Sequence, residues 1–160
     1  KIETNIIKKI IMDTKQELGW ILAQKDKPSI LSLDIDMHTL EDVEDYIRQL
    51  QKKEDVGTAV IVESSDLHFH IYFFWRLLNW EKCQEIVQNC PIADHQFKQF
   101  TRYNRFVRMR ITNLYKPFIK IMSHNTFNNL DIGDFYFRHY LWLVGFQAET
   151  IEHYLREVKW

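Results

Sequence analysis

Glycine and proline are scarce in this 160-residue chain, at 4 and 3 residues. That scarcity excludes a collagen-like repeat and a flexible linker protein. Cysteine is scarcer still. Cys83 and Cys90 form no CxxC, so neither a disulfide framework nor a zinc ribbon is indicated, and a reducing, intracellular (cytoplasmic) compartment is expected. No apolar run approaches the roughly 20 residues that a membrane helix needs, and no signal-peptide pattern opens the sequence. An excess of either charge is also missing: 21 Lys and Arg stand against 22 Asp and Glu. The balance excludes a histone-like DNA binder and an acidic solvating protein alike. Present instead are 11 Phe, 7 Tyr and 5 Trp, enough to fill the core of one folded domain. The sequence opens at Lys1 rather than Met, so an excised or processed piece of a larger protein is expected.

Hydrophobic periodicity orders the elements. Ile2 to Leu22 has mostly helical spacing and reads as one or two helices broken near Gly19. Ser29–Asp36 alternates with period two and reads as a strand. Thr39 can cap the next helix, with Asp42 three residues on and an apolar stripe of Leu40, Val43, Ile47 and Leu50. Thr58–Glu63 and His68–Phe74 read as a hairpin, Trp80–Asn89 as a helix, and His95–Thr101 as a short helix. Arg105–Thr112 and Phe118–Met122 read as strands. The central order is β-α-β-β-α-β, which predicts an α+β fold. It is expected to be an RRM-like split β-α-β sandwich with helices on one sheet face and the other face open. Residues 1–125 would form this core. Residues 126–160, with two short helices around Gly145, would form a small helical appendage.

Strand alternation then sorts side chains between the faces. With Leu33, Ile35 and Met37 turned to the helices, Asp34 and Asp36 stand together on the open face. With Phe69, Ile71 and Phe73 turned inward, His68, His70, Tyr72 and Phe74 join them. With Val107, Met109 and Ile111 inward, Arg108 and Arg110 face outward. Two adjacent carboxylates repel, and holding both ionised calls for a cation. Mg²⁺ or Mn²⁺ prefers such oxygens and leaves room for water and phosphate, while Arg and His suit triphosphate oxygens. Phosphoryl or nucleotidyl transfer is the chemistry implied. From His95 to Leu130 there is no acidic residue, while Lys98, Arg102, Arg105, Arg108, Arg110, Lys116 and Lys120 alternate with Phe97, Phe100, Tyr103, Phe106 and Tyr115. Such a stretch suits a single-stranded nucleic-acid track.

These residues resemble the archaeo-eukaryotic primases, or primase-polymerases, over roughly Ile30 to Met122. The first motif of that family, a hydrophobic strand ending in DxD, is matched by Leu31-Ser-Leu-Asp34-Ile-Asp36. The second, a strand followed by serine and then histidine, is matched by Val60 to His70, although Asp66, Leu67 and His68 stand where the family usually carries glycine. The third motif is a single downstream acid, for which Asp94 is the natural candidate and Asp131 and Asp134 are competitors. The resemblance implies Asp34, Asp36 and Asp94 as catalytic ligands of Mg²⁺ or Mn²⁺. It implies Ser65 and His70 (with His68 as the alternative) as triphosphate contacts, while Arg108 and Arg110, placed outward more by their strand's alternation than by the family, would be further phosphate or template contacts. It also implies nucleoside triphosphates, a single-stranded DNA template and a helicase or other replication domain as partners, in a protein of plasmid or viral type.

Two other readings compete. His68-Phe69-His70 fits the histidine-hydrophobic-histidine motif of rolling-circle endonucleases, with Tyr115 as nucleophile, but it leaves Asp34 and Asp36 unexplained. A non-catalytic RRM-like nucleic-acid binder calls for aromatic residues where this chain has carboxylates.

Overall fold

Ser29–Asp36 does extend as a strand, and the β-branched and apolar residues around it determine what it pairs with. A computed structural model describes residues 19–111, 118–123 and 130–157. Within them the elements are β1 (Gly19–Gln24), β2 (Ser29–Asp36), α1 (Leu40–Lys53), β3 (Ala59–Ser65), β4 (His68–Leu78), α2 (Trp80–Asn89), α3 (His95–Asn104), β5 (Phe106–Arg110), β6 (Phe118–Met122), α4 (Leu130–Leu143) and α5 (Ala148–Glu157). The fold is α+β, built on two antiparallel sheets: four strands in the order β2-β4-β3-β6, and the pair β1-β5.

Local chemistry accounts for the boundaries. Thr39 and Asp42 cap α1 reciprocally, with the Thr39 hydroxyl accepting from Asp42 N and the Asp42 carboxylate accepting from Thr39 N. Asn79 caps α2 by accepting from Lys82 N at 2.8 Å. The β3–β4 turn is two residues long, and its second residue, Leu67, has φ 60°. That left-handed conformation is costly for a branched side chain. Leu67 O then accepts from Met37 N at 2.8 Å, tying the hairpin tip to the end of β2.

On one face of the large sheet, Leu31, Leu33 and Ile35 of β2 and Phe69, Ile71 and Phe73 of β4 are buried, as are Val43, Ile47 and Leu50 of α1 and Ile86 and Val87 of α2. The opposite face is not open, contrary to expectation. The helix α4 lies against β4, with Phe137, Tyr140 and Leu141 fully buried. Phe137 meets Phe74 at 5.9 Å and Tyr140 meets Tyr72 at 4.7 Å between ring centroids. From Phe69 to Trp75 every residue of β4 is therefore buried. The C-terminal segment is a second covering layer, and α5 folds back on α4 with Ile151 buried.

Two strands also depart from expectation. Gly19–Leu22 is the start of β1, where the end of a helix was expected. Glycine is a poor helix former, and pairing with β5 outweighs the helical spacing. In turn, β5 leaves the large sheet. The outer edge of β2 is already taken at its site end, because Ile35 bridges Ala93 and Asp94 N donates to Asp34 O at 2.7 Å. The expected 1–18 helices lie outside the described residues.

One glycine sets the seat of α4. A Cβ on Gly133 would collide with the ring and backbone of Trp75, whose indole N–H donates to Asp134 Oδ1 at 3.0 Å. Gly133→Ala is expected to lower stability by about 1–3 kcal/mol through overpacking, even though alanine favours helix by about 1 kcal/mol. Urea denaturation reads the change, and a stabilised variant would show that α4 is not held against Trp75.

Candidate active site

Antiparallel pairing places residues that stand opposite one another on the same face, with Cβ atoms about 5 Å apart. The register puts Asp34 opposite His70 and Asp36 opposite His68, and the next strand adds Val62 opposite His70 and Ser65 opposite His68. Two rows thus cross the sheet: Asp36–His68–Ser65 at its end, and Asp34–His70–Val62 one step inward. A third row, Ser32–Tyr72–Val60, runs beneath α4. The sequence-derived grouping of two Asp and two His on one face is present, together with Ser65.

Asp94 joins this group through the backbone. Its N–H bond to Asp34 O fixes it beside β2, and its side chain caps α3 by accepting from Phe97 N at 2.9 Å. The neighbouring charges register on Asp34. Burial pushes its carboxyl up to about 6, the Asp94 carboxylate pushes the same way, and the Arg110 guanidinium opposes them. Asp131 and Asp134 lie on α4. Asp134 is bonded to Trp75 and Asp131 is exposed, so neither replaces Asp94 beside Asp34.

The two histidines differ. His70 is buried, and burial first, then Arg110 and His68, pull its pKa down to about 4. Its Nε2 lies 3.7 Å from Asp34 Oδ1 and its Nδ1 lies 3.4 Å from the Tyr72 hydroxyl. The His68 side chain is 39% exposed, and its Nδ1 contacts the Asp36 carboxylate. His68 therefore presents its outer edge to solvent while His70 is held inside.

The basic residues do not form one track. Arg108 and Arg110 are exposed on β5, in the small sheet, with Arg108 5.9 Å over the Phe100 ring and Arg110 acting on Asp34 and His70. Arg102 donates to Gln88 Oε1 at 2.7 Å, anchoring α3 to α2. Lys98 is half-buried near Cys90, and Arg105 ends α3 in the left-handed conformation with φ 59°. Lys120 corrects the expectation most clearly. It stands opposite Ile61, on the helix side of the sheet, and its ammonium donates to Glu44 of α1 at 2.6 Å. Lys116 and Tyr115 lie outside the described residues. Tyr103 is exposed near the end of α3, and Phe100 lies under Arg108.

Among the described residues, no three His, Cys, Asp or Glu side chains are gathered closely enough to enclose a metal. The donor set suits a hard cation nonetheless. Asp34 and Asp94 offer carboxylate oxygens whose mutual repulsion a cation would relieve, and Mg²⁺ is commonly held by one or two carboxylates plus substrate phosphates rather than by a full protein cage. No helix among the described residues is long and apolar enough to cross a membrane. Set against protein-family models, curated proteins and solved structures, the chain matches none. What is shown is an α+β protein.

Proposed function

We propose that the chain is the catalytic core of a metal-dependent nucleotidyltransferase of the primase-polymerase type, joining nucleoside triphosphates on a single-stranded DNA template. The observation that carries this reading is Asp94 held beside Asp34 at the edge of the sheet, with Asp36 one row further along the same face and His70, His68 and Arg110 nearby. Asp34 and Asp94, with Asp36, would hold Mg²⁺ or Mn²⁺, which when bound neutralises phosphate charge and lowers the barrier to attack by a 3′-hydroxyl on the α-phosphorus. Ser65, His70 and Arg110 would hold the triphosphate oxygens, with the exposed edge of His68 within the same row as Ser65. Arg108 and Tyr103 would meet the template, one through charge and the other by stacking. Pyrophosphate leaves as the new phosphodiester bond forms.

The hairpin turn adds support. Leu67 takes the left-handed conformation that glycine favours, at the place where the family usually carries a glycine between serine and histidine. The competing readings fare less well. A sheet-face RNA binder stacks bases on exposed aromatics, and Tyr72 and Phe74 are buried beneath α4. An endonuclease needs both histidines on one metal, whereas His70 faces Asp34 and Tyr72 while His68 faces Asp36. A reducing intracellular setting fits Cys83 and Cys90, both free thiols, and a helicase or other replication domain would be its partner.

The test is incubation of the chain with single-stranded DNA, Mn²⁺ or Mg²⁺ and labelled nucleotides, beside an Asp34→Ala/Asp36→Ala control. Extended products that vanish in the control are expected. Shortened template with a covalent protein–DNA band lost in Tyr115→Phe would replace this reading with the endonuclease. Retained synthesis in the control would remove these carboxylates from the site.

A further inference from the structure

Two residues at the end of the site hold left-handed backbone conformations, and they are bonded to each other. Met37, which follows Asp36 at the end of β2, has φ 60°, and so has Leu67 at the hairpin tip. That region is unfavourable for both, because Cβ crowds the backbone, and glycine would take it at no steric cost. Met37 N nevertheless donates to Leu67 O at 2.8 Å, and His38 N donates to the same oxygen at 3.4 Å. Met37 gains no burial in return, since it is 68% exposed. We infer, on the nucleotidyltransferase reading of the site, that Met37 is a nucleobase contact whose exposed thioether packs against the base of a nucleoside triphosphate bound at the Asp34–Asp36 face.

The cover over the sheet sets where a nucleoside can lie. Phosphates held by Asp34, His70 and Ser65 occupy the rows Asp34–His70–Val62 and Asp36–His68–Ser65. Inward of these rows the way is closed: Ser32, Tyr72 and Val60 are buried, and the Tyr140 ring of α4 stands 4.7 Å from that of Tyr72. On the β2 flank, Ala93 and Asp94 take the edge of the strand. A sugar and base attached to those phosphates therefore extend outward past the Asp36 row, where β2 and the hairpin end in Met37 and Leu67. Of the exposed residues closing this end of the sheet, Met37, Ser65 and Asp66, only Met37 offers an apolar surface. A thioether is polarisable and packs well on an aromatic ring, and every base has such a face. The two bonds to Leu67 O fix the Met37 backbone before any ligand arrives, so less ordering is needed on binding. Strain of this kind persists where the surrounding structure determines it, and it gathers at ligand sites.

The experiment uses the whole chain labelled with ¹³C-methyl methionine, its four methyl signals sorted with the help of Met37→Leu. Titration with dATP and Mg²⁺ is set beside titration with tripolyphosphate and Mg²⁺, which supplies the phosphates without a base. The Met37 methyl is expected to move upfield under the adenine ring current with dATP and to stay in place with tripolyphosphate. By calorimetry, Met37→Gly should bind dATP about two- to tenfold more weakly, the range a thioether–aromatic contact supplies, and tripolyphosphate as the wild type does. Met37→Leu, similar in size and apolar, should keep most of the dATP affinity. The urea midpoint of Met37→Gly should rise, because glycine relieves the left-handed strain. An unmoved Met37 methyl in a protein that binds dATP overturns the inference and leaves the nucleotidyltransferase reading standing. Equal weakening of both probes in Met37→Gly does the same, as does a lowered urea midpoint with dATP affinity unchanged. If Met37→Gly does not fold, the wild-type methyl titration decides alone. A wild type that binds neither probe removes the nucleotidyltransferase reading, and the base contact with it.

Discussion

Asp34→Asn is expected to lose nucleotidyl transfer by roughly a thousandfold or more, while the metal-free protein becomes more stable at neutral pH. The first half follows from what a bound cation supplies at a phosphoryl centre, several kcal/mol of charge stabilisation that an amide ligand cannot retain. The second half follows from the unliganded site. Burial and Asp94 hold the Asp34 carboxyl near 6, so its ionisation at neutral pH works against folding. The shift from 3.8 to about 6 bounds the penalty at about 3 kcal/mol. Because the Asp34 side chain is 34% exposed, solvent screening reduces this to about 1–2 kcal/mol. Urea midpoints in EDTA measure the gain. Added Mn²⁺ should then raise the thermal midpoint of the wild type and leave Asp34→Asn unmoved. A variant that is less stable in EDTA, with no Mn²⁺ effect on the wild type, would make Asp34 a structural acid.

The strands that carry the site could be read from sequence because each has a half-polar alternation that a single register satisfies. Asp34 and Asp36 cannot face the helices while Leu33 and Ile35 do, and β4 obeys the same constraint through Phe69 and Ile71. The cap at Thr39 and the short hairpin at Asp66-Leu67 are local chemistry, and they appear where they were expected. What failed was set by tertiary pairing. Gly19–Leu22 shares apolar spacing with the residues before it, and only the partner β5 makes it a strand. The loss of β5 from the large sheet depends on Ala93 and Asp94 occupying the edge of β2, a contact across more than 50 residues.

The covered face did have a signature. Tyr72 and Phe74 are apolar at positions assigned to an open surface, and a strand that is apolar on both faces is a strand buried on both faces. The partner, Tyr140 on α4, left no comparable mark, since its spacing with Phe137 and Leu141 reads as any amphipathic helix. Asp94 was legible only through the resemblance. As an N-cap at the start of α3 it looks structural, and its place beside Asp34 appears only with the backbone bond between them. Lys120 was misplaced by counting charge without counting period, because opposite Ile61 it has to face α1.

His70 and Asp34 should impose opposite pH dependences on stability, and single substitutions should expose each. His70 has a folded pKa lowered to about 4 from 6.5, so as pH falls below 6.5 the unfolded chain takes up a proton that the native chain refuses. Stability from this group is complete above 6.5 and is lost on the way down to about 4, a change of about 3 kcal/mol. Asp34 has a folded pKa raised to about 6 from 3.8, so the native chain takes up the proton first, and stability is gained as pH falls from 6 toward 3.8. In the wild type the two slopes largely cancel between 4 and 6, leaving the His70 loss visible between 6 and 6.5. Asp34→Asn removes the compensating term, and its stability relative to wild type should decline steadily as pH falls from 6 to 4. His70→Gln removes the other, and its relative stability should rise over the window from 6.5 to 4. Groups elsewhere act equally on all three proteins, so urea denaturation in EDTA across this range isolates the differences. Parallel profiles for the two variants would mean that the pair is not buried together as described, and that the site is wetter than its rows of side chains imply.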